Sequence, residues 1–132
     1  MTTDTTNAPT SFALPTASWA HWLIRLPVAA TFLYHGLPKF ADLAGGAGYM
    51  GLPLAVWTLV ALGEAFAGLG LLAGGALRGN PGDLLTRAAG ASIAIIMTGA
   101  VVLVHLGPWS GMEFQVLLLA SGLFFALRGN RA

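Results

Sequence analysis

Four apolar runs, divided by polar or glycine-rich breaks, account for most of the chain. They extend from about Trp19 to Phe40, Pro53 to Leu77, Leu84 to Leu106 and Met112 to Leu127. A helix that crosses a bilayer takes roughly 20 mostly apolar residues. The first three runs reach that length, and the fourth reaches it with its flanks. The stretch "ADLAGGAGYMGLP" reads as a glycine-rich break, "RGNPGD" as a turn, and "GPWSG" as the end of the third run. The opening "MTTDTTNAPTSFALPTAS" is polar, Thr-rich and broken by proline. It reads as a flexible tail over residues 1–18, before a single four-span domain over 19–128. A secretory signal needs a basic n-region. This tail offers only Asp4, so the first run reads as a retained helix.

Composition strengthens the membrane reading. Of 132 residues, 56% are hydrophobic and 8% charged, with a mean hydropathy of +0.76. Soluble domains carry about 25% charged residues. The expected fold is therefore all-α, an integral membrane four-helix bundle in contact with the lipid bilayer. A formal net charge of +1 gives no basic surface for nucleic acid. The chain has no cysteine, which removes disulfides, thiolate nucleophiles and iron–sulfur ligands. With four spans both termini share a side, together with Arg78, Arg87, Arg128 and Arg131, and Arg25 lies nearest to it. Lys39 is alone on the other side. The positive-inside rule then puts the N and C termini in the cytoplasm.

The few polar residues inside the runs define the candidate chemistry. At 1.5 Å per residue, His35 and Lys39 lie near the outer end of the first span. His105 ends the third span and Glu113 begins the fourth, so all four share one leaflet. Glu64 lies near the middle of the second span, and depth counting makes Arg25 its expected partner in a structural ion pair. Intramembrane carboxylates are costly and usually face the bundle interior. Gly70 and Gly74 have the GxxxG spacing of close helix contacts. "FLYHGLPKF" is weakly echoed by "VLVHLGPW", as two hairpins inserted the same way would give.

Each group also has a plainer role. Arg25–Glu64 would fix helix docking, the histidines would cap helix ends at headgroup depth, and Lys39 would snorkel to the surface. As a set, His35, His105 and Glu113 are candidates for proton chemistry, and His35, Lys39 and His105 for binding a quinone head. Histidine suits such a site because it titrates near neutrality. Haem would need a deeper histidine pair, and no metal-binding spacing supports zinc.

These residues, in this order, resemble the DoxX family of small bacterial membrane proteins. The likeness is carried by "LIRLPVAATFLYHGLPKF", "LGEAFAGLGLLAGGALR", "TRAAGASIAIIM", "VHLGPW" and "MEFQVLLLASGLFFAL", over about Leu23 to Leu127. Arg25, His35, Gly36, Lys39, Glu64, His105 and Glu113 fall on its motif positions. The resemblance implies a multi-pass protein of the bacterial inner membrane. A named relative, the membrane subunit of thiosulfate:quinone oxidoreductase, brings a redox association. The leading expectation is an accessory or anchoring subunit of a larger respiratory or photosynthetic redox complex. Its partners would be membrane or periplasmic redox subunits, or further copies of itself. The alternatives are a quinone-linked oxidoreductase subunit, which needs a partner to deliver electrons, and a small transporter or proton pathway formed by an oligomer. Whether the chain is itself part of an enzyme stays open at this level.

Overall fold

A computed structural model describes residues 17–130. Residues 1–16 of the expected tail, and Arg131 of the charge count, lie outside the described residues. The described chain is helical, in the order α1 (Trp22–Gly36), a 3-10 turn (Leu37–Ala41), α2 (Leu43–Met50), α3 (Leu54–Ala76), α4 (Gly79–Ala100), a π turn (Val101–His105) and α5 (Trp109–Arg128). Among the described residues three helical stretches are long and apolar enough to cross a membrane: Leu54–Ala76, Gly79–His105 and Trp109–Arg128. The first apolar run does not make one long α-helix. α1 has 15 residues, and the chain then tightens into the 3-10 turn, with Pro38 in its first turn. Proline is tolerated there because a first-turn N–H has no helical partner to lose.

The breaks are shorter than the sequence suggests. Within "ADLAGGAGYMGLP", α2 forms because Asp42 caps it: its Oδ1 accepts from the Gly45 N–H at 2.8 Å. Gly51 ends α2 with a left-handed φ of 65°. "RGNPGD" is mostly the first turn of α4, and the reversal is confined to Leu77 and Arg78, with Gly79 at φ 73°. α5 starts at Trp109, directly after Pro108, which lengthens the expected fourth run to 20 residues.

α1 packs on α3, α3 on α4, and α4 on α5. The core gathers Val28, Phe32, Leu71, Ile93, Met97 and Phe125 around small residues such as Ala29, Ala67 and Ala89. Small residues let helix backbones approach where lipid supplies no hydrophobic drive between helices. The Gly70–Gly74 spacing faces α4: a Cβ on Gly74 would stand 2.8 Å from the Thr86 backbone nitrogen. Gly68 instead faces α1, 2.9 Å from the Ala29 carbonyl by the same measure. Leu59, Ile95, Leu103 and Leu117 are outward and exposed. A soluble surface would not carry so many; a lipid-facing one would.

The antiparallel register of α1 and α3 fixes where the polar residues fall. Gly36 lies against Glu64, with its missing Cβ 2.7 Å from the Glu64 Cβ. Eleven residues earlier on α1 and eleven later on α3, Arg25 lies against Gly75. Arg25 and Glu64 are therefore about 16 Å apart along the helix axes. The expected Arg25–Glu64 pair does not form. Depth counting assumed that Lys39 and Pro53 were level; α2 and the 3-10 turn intervene and bring Lys39 back to the depth of Glu64.

Candidate functional site

The end of the helices that carries the 3-10 and π turns holds a cavity of about 520 Å³. Small-molecule sites commonly occupy roughly 300–1,000 Å³. α1 contributes Thr31 and His35, the 3-10 turn Lys39, and α3 Trp57 and Glu64. His105 comes from the π turn and Gln115 from α5. The remaining walls are aliphatic or aromatic, among them Phe32, Val60, Ile96, Met97, Phe114 and Leu118.

On the α1–α3 side, Lys39 Nζ donates to Glu64 Oε2 at 2.6 Å and to the His35 carbonyl at 2.7 Å. The Trp57 ring centroid lies 5.0 Å from the same nitrogen. Lysine carries three donors, and two of those of Lys39 are committed to the protein. The Glu64 side chain is 8% exposed and the Lys39 side chain 15%. Such a pair is costly to form in an apolar layer and costlier to split, since either partner alone would be an uncompensated charge. Gly36 makes it possible, because any side chain there would displace Glu64. Thr31 turns its hydroxyl hydrogen back to the Pro27 carbonyl at 2.9 Å.

On the other side, the π turn carries His105. π turns in α-helices recur at functional sites. His105 Nδ1 lies 3.0 Å from the Ala100 carbonyl, and its Nε2 lies 3.1 Å from Gln115 Nε2. A carbonyl can only accept, so Nδ1 carries the proton. Nε2 of the neutral ring is then the acceptor, and Gln115 donates to it.

The sequence-derived site is thus partly assembled. His35, Lys39 and His105 line one cavity, joined by Glu64. Glu113 is exposed and absent from the walls; two residues on, Gln115 occupies the position expected of it. α5 turns Glu113 outward because residues two apart on a helix lie on different faces. Gln115 was legible as the chain's single glutamine within an apolar run. Trp57 also lines the cavity, beside Lys39. Among the described residues no three His, Cys, Asp or Glu side chains come close enough to hold a metal ion.

Arg25 belongs to a separate, packed layer at the other end. It is fully buried. It donates to the Leu71 carbonyl, to Thr86 Oγ1 at 3.1 Å, to Asn130 Oδ1 at 2.7 Å and to His21 Nδ1 at 3.2 Å. Its guanidinium also lies 4.9 Å from the Phe125 ring centroid. Asn130 ties this layer together, accepting from Thr86 and donating to the Gly74 carbonyl and to Asp83.

Residues 20–106 match the DoxX family model. The chain belongs to the DoxX family. The match spans α1 to the π turn and so includes every polar cavity residue except Gln115. No curated protein and no solved structure gives a significant match. Family and helices together make this DoxX protein a multi-pass membrane protein.

Proposed function

We propose that this DoxX protein is a four-span subunit of a redox complex in the bacterial inner membrane, and that its outer cavity holds the head of a membrane-borne quinone. The single observation that carries this reading is the cavity itself. It is an apolar chamber of ligand size, with the Lys39–Glu64 pair and His35 on one wall and the His105–Gln115 pair on the other. A ring with polar substituents at opposite edges suits such a chamber. In this reading His35 and His105 contact the head, Lys39 positions Glu64, and α1 supplies the remaining span with its 3-10 extension. The electrons come from a partner protein.

Anchoring of a larger complex belongs to the same proposal. Its docking face is not the glycine stripe of α3, because Gly68 is used against α1 and Gly74 against α4. A proton or solute pathway is less favoured, because the Arg25 layer fills the opposite end of the helices.

The test is purification in mild detergent from native membranes, with lipid extracts and protein partners identified by mass spectrometry. Quinone is expected to co-purify with the wild-type complex and to be lost from His105→Ala while the partners remain. A defined partner complex that carries no quinone, and is unchanged by His105→Ala, would remove the quinone and leave the anchoring subunit.

A further inference from the structure

The cavity is apolar where α3 meets α4. Over most of their length these two helices are closed on each other. Ser92 Oγ donates to the Gly63 carbonyl at 3.0 Å, and a Cβ on Gly63 would stand 2.8 Å from the Ile96 side chain. Toward the start of α3 the same face continues as Val56, Leu59 and Val60, which stand seven, four and three residues before Gly63. On α4 it continues as Gly99, three residues after Ile96, and the chain then reaches Leu103 of the π turn. All five line the cavity, and none has a polar side chain.

These five residues do not close the two helices together. A Cβ on Gly99 would meet nothing within 4 Å. Leu59 and Leu103 are each 68% exposed, on the surface that faces lipid. A residue that lines a cavity and also faces lipid marks a place where the cavity opens sideways. The other seams beside the cavity are bridged or polar. The Lys39–Glu64 pair joins the 3-10 turn to α3, and His105 with Gln115 joins the π turn to α5. Between α1 and α5 the cavity is bordered by Thr31, His35 and Phe114.

One cavity thus combines a polar chamber with an apolar side opening. A headgroup alone fills only the chamber. A molecule with a polar head and a linear apolar chain fills both, and its chain reaches the bilayer without passing a polar side chain. We infer that the site takes its ligand sideways from the bilayer and holds the ligand's apolar chain in the gap between α3 and α4, against Leu59, Gly99 and Leu103. The inference rests on the quinone-site reading above and deepens it: the chamber receives the head, and the gap receives the chain. Lipid already surrounds such a chain before it binds, so the gap contributes packing instead of hydrophobic drive. Its signature is therefore where the chain lies and what filling the gap costs.

The experiment is photolabelling of the purified full chain in phosphatidylcholine nanodiscs. The probe is a benzoquinone whose decyl chain carries a diazirine close to the ring. Labelled residues are mapped by mass spectrometry, and only labelling suppressed by excess decylbenzoquinone is counted. It is expected at residues 56–60 and 99–103. Suppressible labelling at Thr31, His35 or Phe114 instead would put the chain between α1 and α5, overturning the inference and leaving the quinone site standing. No suppressible labelling anywhere would remove the quinone site and this inference together. Gly99→Phe adds a second arm, because it fills the gap from a position with room for a Cβ. It is expected to weaken decylbenzoquinone about tenfold, the scale of forcing extra volume into a packed space. Binding of the same ring without a chain is expected to stay at the wild-type value. Each probe partitions into the same bilayer in both proteins, so partitioning cancels in the comparison. Equal loss of both probes, or loss of neither, would overturn the inference. The labelling map needs only the wild-type chain, so it decides the question even if Gly99→Phe fails to fold.

Discussion

The two ends of the helices spend their polar residues differently. At one end Arg25 uses four of its five N–H groups on the Leu71 carbonyl, Thr86, Asn130 and His21, and lies over Phe125. Its acceptors are neutral, so the charge is spread over carbonyl, hydroxyl, amide and ring dipoles instead of one carboxylate. No cavity residue lies there. At the other end the charges are paired, yet hydrogen-bonding capacity is left facing a cavity of about 520 Å³. A polar group inside an apolar protein has to be satisfied. Where its capacity is used up by the fold, its role is to hold helices together. Where capacity remains beside a cavity, it is available to a ligand.

That contrast breaks most visibly at Arg25. Arg25→Met keeps the aliphatic stem but removes every donor, leaving Leu71, Thr86 and Asn130 without a shared partner. The expected cost is about 3 kcal/mol or more, because bonds to a charged donor are worth about 1.5–3 kcal/mol each. A large drop in the melting temperature of the detergent-solubilised protein is the readout. Survival near wild-type stability would mean that the layer is not what joins α1 to α3, α4 and the end of α5. Asn130→Ala is the milder version. Arg25 keeps its other bonds, and the loss falls to about 1–2 kcal/mol, measured in the same way. Neither change touches a cavity wall. Ligand binding by whatever protein remains folded is expected to match wild type.

The sequence made the cavity end more legible than the Arg25 end, and the reason is geometric. His35 and Lys39 are one turn apart on one run, and His105 closes another, so helix rise alone brings them to one depth. Glu64 was placed in the right span but given the wrong partner. That choice depended on where α3 begins relative to the end of α1. The short helix α2 and the 3-10 turn set that offset, and their glycines read as a plain break. The Arg25 layer was hidden for another reason. Its acceptors are a backbone carbonyl, a threonine and an asparagine near the C-terminus, none of which carries charge, and Asn130 lies 105 residues from Arg25. Helical character and the apolar runs were legible because hydropathy dictates them. The length of α1 was not, because Gly36 and Pro38 end it within an apolar run. Gly36 had been read only as part of a motif. Its role follows from the 2.7 Å approach to Glu64, which no one-dimensional pattern contains.

The smallest expected effect is at Glu113, and it sharpens the comparison by locating the boundary of the site. Glu113 has the depth, the charge and the position at a helix start that a proton relay would need. It lacks the orientation: α5 turns it outward, while Gln115 faces His105. Exposed substitutions away from packed features usually change stability by no more than about 0.5 kcal/mol. Glu113→Gln is therefore expected to leave both the melting temperature and the co-purification of quinone at wild-type values. Glu64→Gln, an identical chemical change nearly fifty residues earlier, is expected to reduce that co-purification. The pair of substitutions compares one carboxylate inside the cavity with one outside it. If Glu113→Gln reduced quinone co-purification as much as Glu64→Gln, charge at that depth would matter more than contact. The cavity walls would then not define the site.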